Sequence, residues 1–529
     1  MNITRLGVLK NKPFKIFTNK RKIIAYRNMI DKKQLSRLRL SIAKCIRYEK
    51  ELLSKNHARE PELNFIHQFK SSEDIRSILM EQAITISFMK STHFESKIKF
   101  HIPPKWWKFF ESSGIQVNKL ACVVLWTKFL LKRLFFEYLK LFKSIKIYLS
   151  TVSIPLEKNS SLTLYCNKIN FQISDKEILF NFSYWLKRHT KNLGINKHYF
   201  LIQDKKNVYE DKNNISLTEH VIFSASPSAI VKTFYNVFKQ SKFKAKFLLQ
   251  FMAHPSSFFM YLSLDYHKIE FIKYIFVPSS GSWVKPLWLS QAENYGVKVI
   301  YVNLSADLVP WQKNQPLYFN WYHLSAWKNI WSTCNVQNNR FKEFCPRFVN
   351  VNYKIMGVPD WLDIDSEIEA DKDFISIFDI EPHLLNFGQT ALNDLHYADI
   401  SNTIKFLTDL AEVSSNLGMT CIHKPKRAIG TRRYQEYSDS IDNLQNRYKG
   451  FISVNESIAP RRLINFSKCV VSMPFTSTAF IAEQSGVINC FYDPSGLIDL
   501  TDEASQGILI INNKEKLFSW LSSCRQANN

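Results

Sequence analysis

The sequence predicts an α/β fold with two successive domains, each built on a parallel sheet. Three observations lead to this prediction. First, short apolar segments alternate with segments of helical periodicity from about residue 160. Second, this alternation is interrupted by an aromatic stretch after about residue 310 and by an acidic run at 363–373. Third, it resumes at residue 374 and continues to the end. Such alternation is typical of parallel sheets covered by helices on both faces. We therefore predict a helical, basic region at 1–150 and two Rossmann-like domains at 151–362 and 363–529.

Composition narrows the choice of partners. The 529 residues carry a formal net charge of +25, which predicts a partner with negative charge: nucleic acid, an anionic membrane surface or a phosphorylated substrate. The chain has 13 glycines, a low number that argues against a glycine-rich phosphate loop of the dinucleotide type. Its length allows two or three domains with a large core.

Cysteine and histidine usage indicates the compartment and the cofactors. The 9 cysteines are scattered without a CxxC pair, and several lie in apolar segments (Cys421, Cys469 and Cys490). This pattern indicates a reduced, cytoplasmic protein that uses cysteine as a small core residue. The 13 histidines show no metal-ligand spacing, so we expect neither a metal nor another cofactor. We also expect no signal peptide, because the N-terminus has no apolar core of about 7–15 residues. We expect no membrane-spanning helix, because no apolar run reaches about 18 residues.

Residues 101–149 begin with a tryptophan pair and continue as a long helical pattern rich in leucine, phenylalanine and lysine. Projected at about 100° per residue, this helix has a charged half and an apolar half. The charged half holds Lys128, Lys132, Arg133, Glu137, Lys140, Lys143 and Lys146, and the apolar half holds Val124, Leu131, Leu134, Phe135, Leu141 and Phe142. Two interpretations stay open. The helix lies on the anionic inner face of the cytoplasmic membrane, or its apolar half covers a core while the lysines face water.

The first Rossmann-like domain is predicted to hold a ligand cleft at one edge of its sheet. We predict strands at 162–169, 199–203, 220–225, 274–278 and 297–303, with helices at 176–191 and 226–243 between them. The segment after about residue 310, dense in tryptophan and tyrosine, is interpreted as a connecting segment. Ligands of open α/β sheets bind beyond the carboxyl ends of the strands. The candidates for this cleft are therefore the polar residues at those ends, namely Asp204, Ser279, Ser280 and Ser282.

The second Rossmann-like domain repeats this plan. We predict strands at 374–380, 419–424, 450–454, 468–473 and 488–492, and helices at 400–415, 434–449 and 514–521. Two consecutive domains of this kind with a cleft between them are the plan of a GT-B glycosyltransferase, so the predicted fold class is α/β of GT-B type with a helical N-terminal region.

A phosphate site is predicted where two strand ends of the second domain meet. Thr476, Ser477 and Thr478 lie at the start of a predicted helix, whose unpaired N–H groups attract an anion. The end of the 419–424 strand carries His423, Lys424, Lys426 and Arg427, whose cations suit phosphate oxygens. Helix capping and a solvated basic turn are the simpler interpretations. Further donor-binding candidates are Glu483, for a ribose, and Asp493 and Ser495, for sugar or ribose hydroxyls; an exposed helix surface and a tight turn are the alternatives for these residues.

The end of the 374–380 strand supplies the candidate catalytic residues. Asp379 and Glu381 would act as general base towards an acceptor hydroxyl, and His383 would pair with phosphate. Local turn chemistry is the alternative interpretation of this FDIEPH segment.

The segments FDIEPH, HKPKR, VVSMPFTSTAFIAEQSG and FYDPSG, in this order, resemble the bacterial polysaccharide-biosynthesis family labelled PFMP, glycosyltransferases for capsule, O-antigen or related surface glycans. The resemblance covers about residues 160–520. The chain is also similar, more widely, to bacterial sialyltransferases and capsule Kdo-transferases, whose His-Pro motif and Ser/Thr pair bind the CMP part of the donor. His423 to Pro425 and Ser477-Thr478 would take these roles, with Lys424 separating His from Pro here.

This resemblance implies a glycosyltransferase that uses a nucleotide-sugar donor, with a CMP-linked acidic sugar favoured and UDP- and GDP-sugars left open. The acceptor would be a bacterial surface polysaccharide, such as capsule or lipopolysaccharide, or its lipid-linked precursor. It would bind in the first domain, so that the cleft residues Asp204, Ser279, Ser280 and Ser282 would form the acceptor cleft. Catalysis would need no metal, because cations and helix N–H groups neutralise the leaving phosphate. Two alternatives are a non-catalytic scaffold of a polysaccharide-assembly complex and a nucleic-acid-binding protein. The latter shows no helix-turn-helix, RRM or OB signature, so nucleic acid is not the expected partner.

Overall fold

The fold is taken from a computed structural model of the chain. It describes residues 102–149, 156–165, 185–202, 210–211, 214–218, 254–264, 266–279, 285–306, 327–344, 350–358, 374–380, 400–425, 435–456 and 458–526, together with isolated residues, mainly within 37–52 and 228–239. The predicted strand at 220–225 and the boundary at 363 lie outside this part of the chain.

The first domain is built on a sheet of eight described strands. They are β1 (Ser160–Tyr165), β2 (His198–Ile202), β3 (Glu210–Asp211), β4 (Asn214–Thr218), β5 (Ile272–Ser279), β6 (Lys298–Asn303), β7 (Asn329–Ser332) and β8 (Asn352–Ile355). Their spatial order is β3-β4-β2-β1-β5-β6-β7-β8. The two-residue edge strand β3 is antiparallel to β4, and the other neighbours are parallel.

The second domain is built on a sheet of six described strands, all parallel. They are β9 (Phe374–Phe378), β10 (Thr420–His423), β11 (Phe451–Ser453), β12 (Cys469–Ser472), β13 (Asn489–Tyr492) and β14 (Ile510–Ile511). Their spatial order is β11-β10-β9-β12-β13-β14. Each residue of β9 is buried, as expected for a central strand with helices on both faces.

Eleven α-helices are described over their full length. They are α1 (Trp107–Glu111), α2 (Lys119–Leu149), α3 (Pro255–Leu262), α4 (Tyr266–Ile269), α5 (Leu287–Asn294), α6 (Asn335–Phe344), α7 (Ile400–Asn416), α8 (Gln435–Arg447), α9 (Pro460–Phe466), α10 (Ser477–Gln484) and α11 (Lys514–Gln526). The predicted fold class, two Rossmann-like α/β domains in succession after a helical region, is confirmed.

The aromatic segment after residue 310 is where the element prediction was wrong. It contains β7, which pairs with β6 and β8 inside the first sheet rather than connecting two domains. Ile330 and Trp331 on adjacent positions are both buried. A strand covered on both faces lacks the alternation of apolar and polar residues that identifies a half-exposed strand.

The helical N-terminal region packs into the first domain. One apolar core joins Trp106, Phe110 and Cys122 to Leu162 and Ile275 of the central strands β1 and β5. Trp106 also donates its indole N–H to Glu49 Oε1 at 2.8 Å. Of the tryptophan pair, Trp106 therefore belongs to the core and Trp107 packs against it.

His198 opens β2 and gives this sheet a pH-dependent stability. Its Nδ1 lies 2.6 Å from Ser161 Oγ, and both side chains are buried. Burial, reinforced by nearby Lys187, lowers the pKa of His198 from 6.5 to about 4. Between these two values the unfolded chain binds a proton that the folded protein excludes. Stability present at pH 7 is therefore lost as the pH falls from about 6.5 to about 4, by about 3 kcal/mol in total.

We expect His198→Gln to remove this part of the acid sensitivity. Glutamine keeps a hydrogen-bonding group near Ser161 but does not titrate. Urea unfolding at pH 7 and pH 5 should show that the parent protein loses about 2 kcal/mol more than the variant between the two pH values. Equal losses in the two proteins would show that His198 does not carry this dependence.

Candidate functional site

The strand order of the second sheet defines a crevice. From β9 the chain runs through β10 to β11 on one side, then returns through β12 to β14 on the other. Such a switch point leaves a gap beyond the carboxyl ends of the two central strands, where ligands bind in open α/β sheets. The ends of β9 and β12 are tied together there. Met473 N donates to Phe378 O at 2.8 Å, and Ile380 N donates to Met473 Sδ at 3.3 Å.

The turn from β12 into α10 forms one wall of this crevice. Phe475 has a φ of 65°, a left-handed conformation that is costly for a bulky residue. Its buried ring packs against Tyr397 and Phe491, and this packing holds the conformation in place. The turn thereby directs the N-terminus of α10 to the carboxyl edge of the sheet.

The N-terminus of α10 is not capped by a side chain. Thr476 occupies the N-cap position, but its side chain makes no capping hydrogen bond. Its Oγ1 instead donates to Met473 O at 2.9 Å and lies 3.1 Å from Thr478 Oγ1. Thr476, Ser477 and Thr478 are all partly exposed. The first N–H groups of α10 therefore keep the capacity to bind an anion at the switch point.

Ser477 joins the two domains at this point. Its Oγ lies 2.9 Å from Ser305 Oγ and accepts from Ala306 N at 3.2 Å. Ser305 and Ala306 follow β6 at the carboxyl edge of the first sheet. Their carbonyl groups both accept from Nε2 of the buried Gln337, at 2.9 Å. The carboxyl edges of the two sheets therefore meet across the N-terminus of α10, which is the arrangement of a GT-B cleft.

Apolar packing supports the same junction. A buried cluster combines Ala306, Cys334 and Val358 of the first domain with Phe378 and Phe475 of the second. The end of the first domain also approaches α10 closely. Gly357 has a φ of +79°, and a Cβ there would lie 2.6 Å from Gln484 Nε2. A residue other than glycine at this position would be strained.

Asp379 and His423, predicted for different roles, lie together in a buried network. They end the paired strands β9 and β10, and Asp379 Oδ2 is 3.4 Å from His423 Nε2. The hydroxyl of Tyr437, from α8, donates to Asp379 Oδ2 and lies 3.5 Å from His423 Nε2. His423 Nδ1 lies 3.1 Å from Ser453 Oγ at the end of β11. Asp379, His423 and Tyr437 are 3%, 0% and 0% exposed.

This network has a consistent proton assignment. When the Ser453 hydroxyl donates a hydrogen bond to His423 Nδ1, the ring N–H is at Nε2 and faces Asp379 and Tyr437. The ring orientation at the end of β10 is thereby determined. Among the described residues, the buried Asp379 Oδ1 has no hydrogen-bond partner. The network is a buried polar cluster at the carboxyl ends of β9, β10 and β11. The general-base role of Asp379 stays a prediction.

The basic end of β10 is only partly described. Lys424 is buried and donates to Pro425 O at 3.0 Å, so its side chain does not extend into solvent as a simple basic turn would. The other predicted residues of these two strand ends lie outside the described residues; they are Lys426, Arg427, Glu381 and His383.

Asp493 closes β13 as the acceptor of a turn. Its Oδ1 accepts from the N–H of Ser495 at 3.0 Å and from the Ser495 hydroxyl, and its Oδ2 accepts from Ile498 N at 2.8 Å. The carboxylate is fully buried. Glu483 accepts from Asn489 Nδ2 at 3.0 Å on an exposed surface. These contacts match the structural alternatives for all three residues, and their roles towards a sugar stay predictions.

In the first domain, Ser279 ends β5 at the switch point of its sheet. The strand order changes direction between β1 and β5. The Ser279 carbonyl accepts from Tyr301 OH at 2.8 Å, and its side chain is partly exposed. Asp204, Ser280 and Ser282 lie outside the described residues.

Sequence reasoning missed four residues that build the site: Ser305, Gln337, Tyr437 and Ser453. A signal existed for Tyr437, because residues 437, 441 and 444 of α8 share one buried face, and a polar hydroxyl on such a face usually has a buried partner. No comparable signal marks Gln337, whose partners come from a loop about 30 residues away in sequence.

The described residues contain no group of three or more His, Cys, Asp or Glu side chains placed to hold a metal ion. Within the same part of the chain, every helix is too short or too polar to cross a bilayer. Metal independence stays a prediction.

Comparison with known proteins gives several likenesses of fold. The chain is similar to the alpha,alpha-trehalose 6-phosphate synthase of Burkholderia multivorans, with 8% identity, a TM-score of 0.38, and coverage of 70% of this chain and 91% of that chain. It is similar to a variant of the wall teichoic acid polymerase TagF, with 12% identity, a TM-score of 0.34, and coverage of 70% and 82%. It is also similar to a mutant O-GlcNAc transferase of Thermobaculum terrenum, with 9% identity, a TM-score of 0.33, and coverage of 90% and 81%.

The sequence comparisons identify a family. No protein of curated function matches the chain. The expected relation to the PFMP family, to sialyltransferases and to Kdo-transferases stays a prediction. A family model matches residues 248–521, which include β5 to β14 and the turn from β12 into α10. The chain belongs to the family described as polysaccharide biosynthesis PFTS motif protein.

Proposed function

We propose that the protein is a glycosyltransferase that transfers a sugar from a nucleotide-sugar donor to a bacterial surface polysaccharide or its lipid-linked precursor. A CMP-linked acidic sugar is the favoured donor. Membership of a polysaccharide-biosynthesis family supports the general activity. The single observation that carries the proposal is the N-terminus of α10. It lacks a side-chain cap and lies at the switch point of the second sheet, facing the first domain.

The donor phosphate would bind at this N-terminus. Helix N–H groups and the partial positive charge of the helix end stabilise a phosphate that gains negative charge as the glycosidic bond to it breaks. The hydroxyl of Thr478 lies 3.1 Å from that of Thr476 and would donate to one phosphate oxygen, while the hydroxyl of Thr476 donates to Met473 O. Lys426 and Arg427 would add positive charge from the neighbouring strand end. This set of groups can neutralise the leaving phosphate without a metal.

The buried network beside this wall would position the nucleotide. Asp379 and Tyr437 restrain the His423 ring, and the strand end that carries His423 continues into Lys424 and Pro425. The acceptor would approach from the first domain, where Ser279 lies at the corresponding switch point. The interdomain contact between Ser305 and Ser477 would keep the donor phosphate close to the acceptor side of the cleft.

A thermal-shift panel of CMP, UDP, GDP and their sugars tests this proposal. We expect one nucleotide to raise the unfolding temperature, since a ligand at about 100 times its Kd adds about 2.7 kcal/mol to the folded state. CMP is the expected nucleotide. The Lys426→Ala/Arg427→Ala variant should lose most of this shift, because it lacks two cations of the phosphate site. Absence of a shift with every nucleotide would overturn the donor site and favour a non-catalytic scaffold.

A further inference from the structure

The long helix α2 contacts the rest of the protein through a polar and partly buried side. Arg133 Nη2 lies 3.3 Å from the ring nitrogens of His254. The largely buried Glu137 accepts from Ser256 Oγ at 2.6 Å. His254 precedes α3 and Ser256 lies in it, so these contacts dock α2 on α3. The buried Cys122 extends the docked side to the start of the helix.

The opposite side of α2 is an exposed apolar ridge. It consists of five large side chains that are between 59% and 78% exposed: Leu120, Val124, Leu131, Phe135 and Phe142. Their spacings of four, seven, four and seven residues keep them within about 60° of one another around the helix axis. Leu139 is also exposed and widens the ridge on one side. Over its 31 residues the helix is about 46 Å long, and the ridge covers most of this length.

In the alternative interpretation the apolar half of the helix covers a core while the lysines face water, and the exposure of Leu131 and Phe135 contradicts its first part. The reason is that Arg133 and Glu137 find polar partners in and just before α3, at the docked side. The apolar residues are consequently left on the outer side. A continuous exposed apolar surface of this kind is uncommon on a monomer and marks an interaction site.

The charges beside the ridge indicate what covers it. Lys128 and Lys132 lie about 80° and 120° around the helix from Leu120, so they border the ridge along one edge. The whole chain carries a net charge of +25. A second copy of the chain would bring the same lysines and the same excess of positive charge to the contact, which disfavours pairing. An anionic lipid surface offers both an apolar layer for the ridge and negative headgroups for the lysines.

We propose that α2 lies flat on an anionic lipid bilayer, with Leu131 and Phe135 near the centre of the buried ridge and Lys128 and Lys132 at the level of the headgroups. This inference rests on the orientation of α2 and is independent of the donor site. Docking would hold the first domain at the membrane surface, since α2 contacts it through Ser256.

Vesicle co-sedimentation of the full chain tests the proposal. The parent protein should bind vesicles of phosphatidylglycerol and phosphatidylethanolamine, bind vesicles of phosphatidylcholine at least about tenfold more weakly, and lose affinity as salt is raised. The Leu131→Gln/Phe135→Gln variant should bind anionic vesicles at least about tenfold more weakly, a loss of about 1.4 kcal/mol or more. The Lys128→Gln/Lys132→Gln variant should lose much of the preference for anionic lipid.

Leu509→Gln/Phe518→Gln is a matched control, because it replaces exposed apolar residues of the second domain. This variant should bind vesicles as the parent protein does. Nucleotide-induced thermal shifts should be the same in all four proteins, which separates membrane docking from the donor site and confirms folding. Equal vesicle binding by the parent and the ridge variant would overturn the proposal. The proposal would also be overturned if the parent protein bound no vesicles. The same holds if light scattering showed that the parent protein is a dimer and the ridge variant a monomer.

Discussion

Replacing Thr476 by aspartate should abolish donor binding while leaving the fold intact. Aspartate is among the best N-cap residues and interacts favourably with the helix dipole. Its carboxylate can supply the cap that α10 lacks, and this offsets the lost bond from Thr476 Oγ1 to Met473 O. The same carboxylate would lie where the donor phosphate binds. We expect affinity for the stabilising nucleotide to fall about a hundredfold or more, equal to about 2.7 kcal/mol, with the free energy of unfolding within about 1 kcal/mol of the parent value.

Two comparisons make this result specific. Thr476→Asn supplies a neutral cap of the same shape as aspartate. The phosphate would have to displace this cap at a cost of about 1 kcal/mol, so nucleotide affinity should stay within about tenfold of the parent protein. Isothermal titration with the nucleotide and urea unfolding would be measured on all three proteins. If Thr476→Asp binds nucleotide as the parent does, the phosphate site does not lie at the N-terminus of α10.

The second domain could be predicted well from the sequence because its strands are short apolar runs bounded by turn residues. The segment from Cys469 to Gln484 shows this. A fully buried strand, a proline, a hydroxyl-rich turn and a helix follow one another in the chain as the local rules predict. The proximity of Asp379 and His423 was also implicit in the plan, since both end parallel strands. Their shared network could not be predicted, because it depends on the register of β9 with β10 and on Tyr437 from α8.

The first domain and α2 were less predictable for two different physical reasons. The β7 strand, with Ile330 and Trp331 buried on both faces, has no alternation and looks like an aromatic connection. Periodicity in α2 correctly groups Val124, Leu131 and Phe135 on one face. It cannot tell which face meets the protein, since that depends on polar partners such as Ser256, more than 100 residues away.

Asp493→Ala should destabilise the second domain strongly, because this carboxylate is an internal acceptor of the fold. Its removal leaves the N–H groups of Ser495 and Ile498 without their acceptors, and the Ile498 side chain is buried. A buried donor that loses its partner costs about 1–3 kcal/mol. The expected loss is therefore about 3 kcal/mol, or roughly 5–10 °C in the unfolding temperature of a domain of this size. Urea unfolding followed by circular dichroism measures it without any ligand.

Asp493→Asn and Ser495→Ala separate this structural role from sugar binding. Asparagine retains one acceptor oxygen, so its loss of stability should be about 1–2 kcal/mol, and Ser495→Ala, which removes only the hydroxyl donor, should lose about 1 kcal/mol or less. This graded order follows from the number of hydrogen bonds that each change removes from the turn. A residue that acts only on sugar or ribose hydroxyls would instead leave the ligand-free stability of all three variants at the parent value, and Asp493 would then return to the donor site.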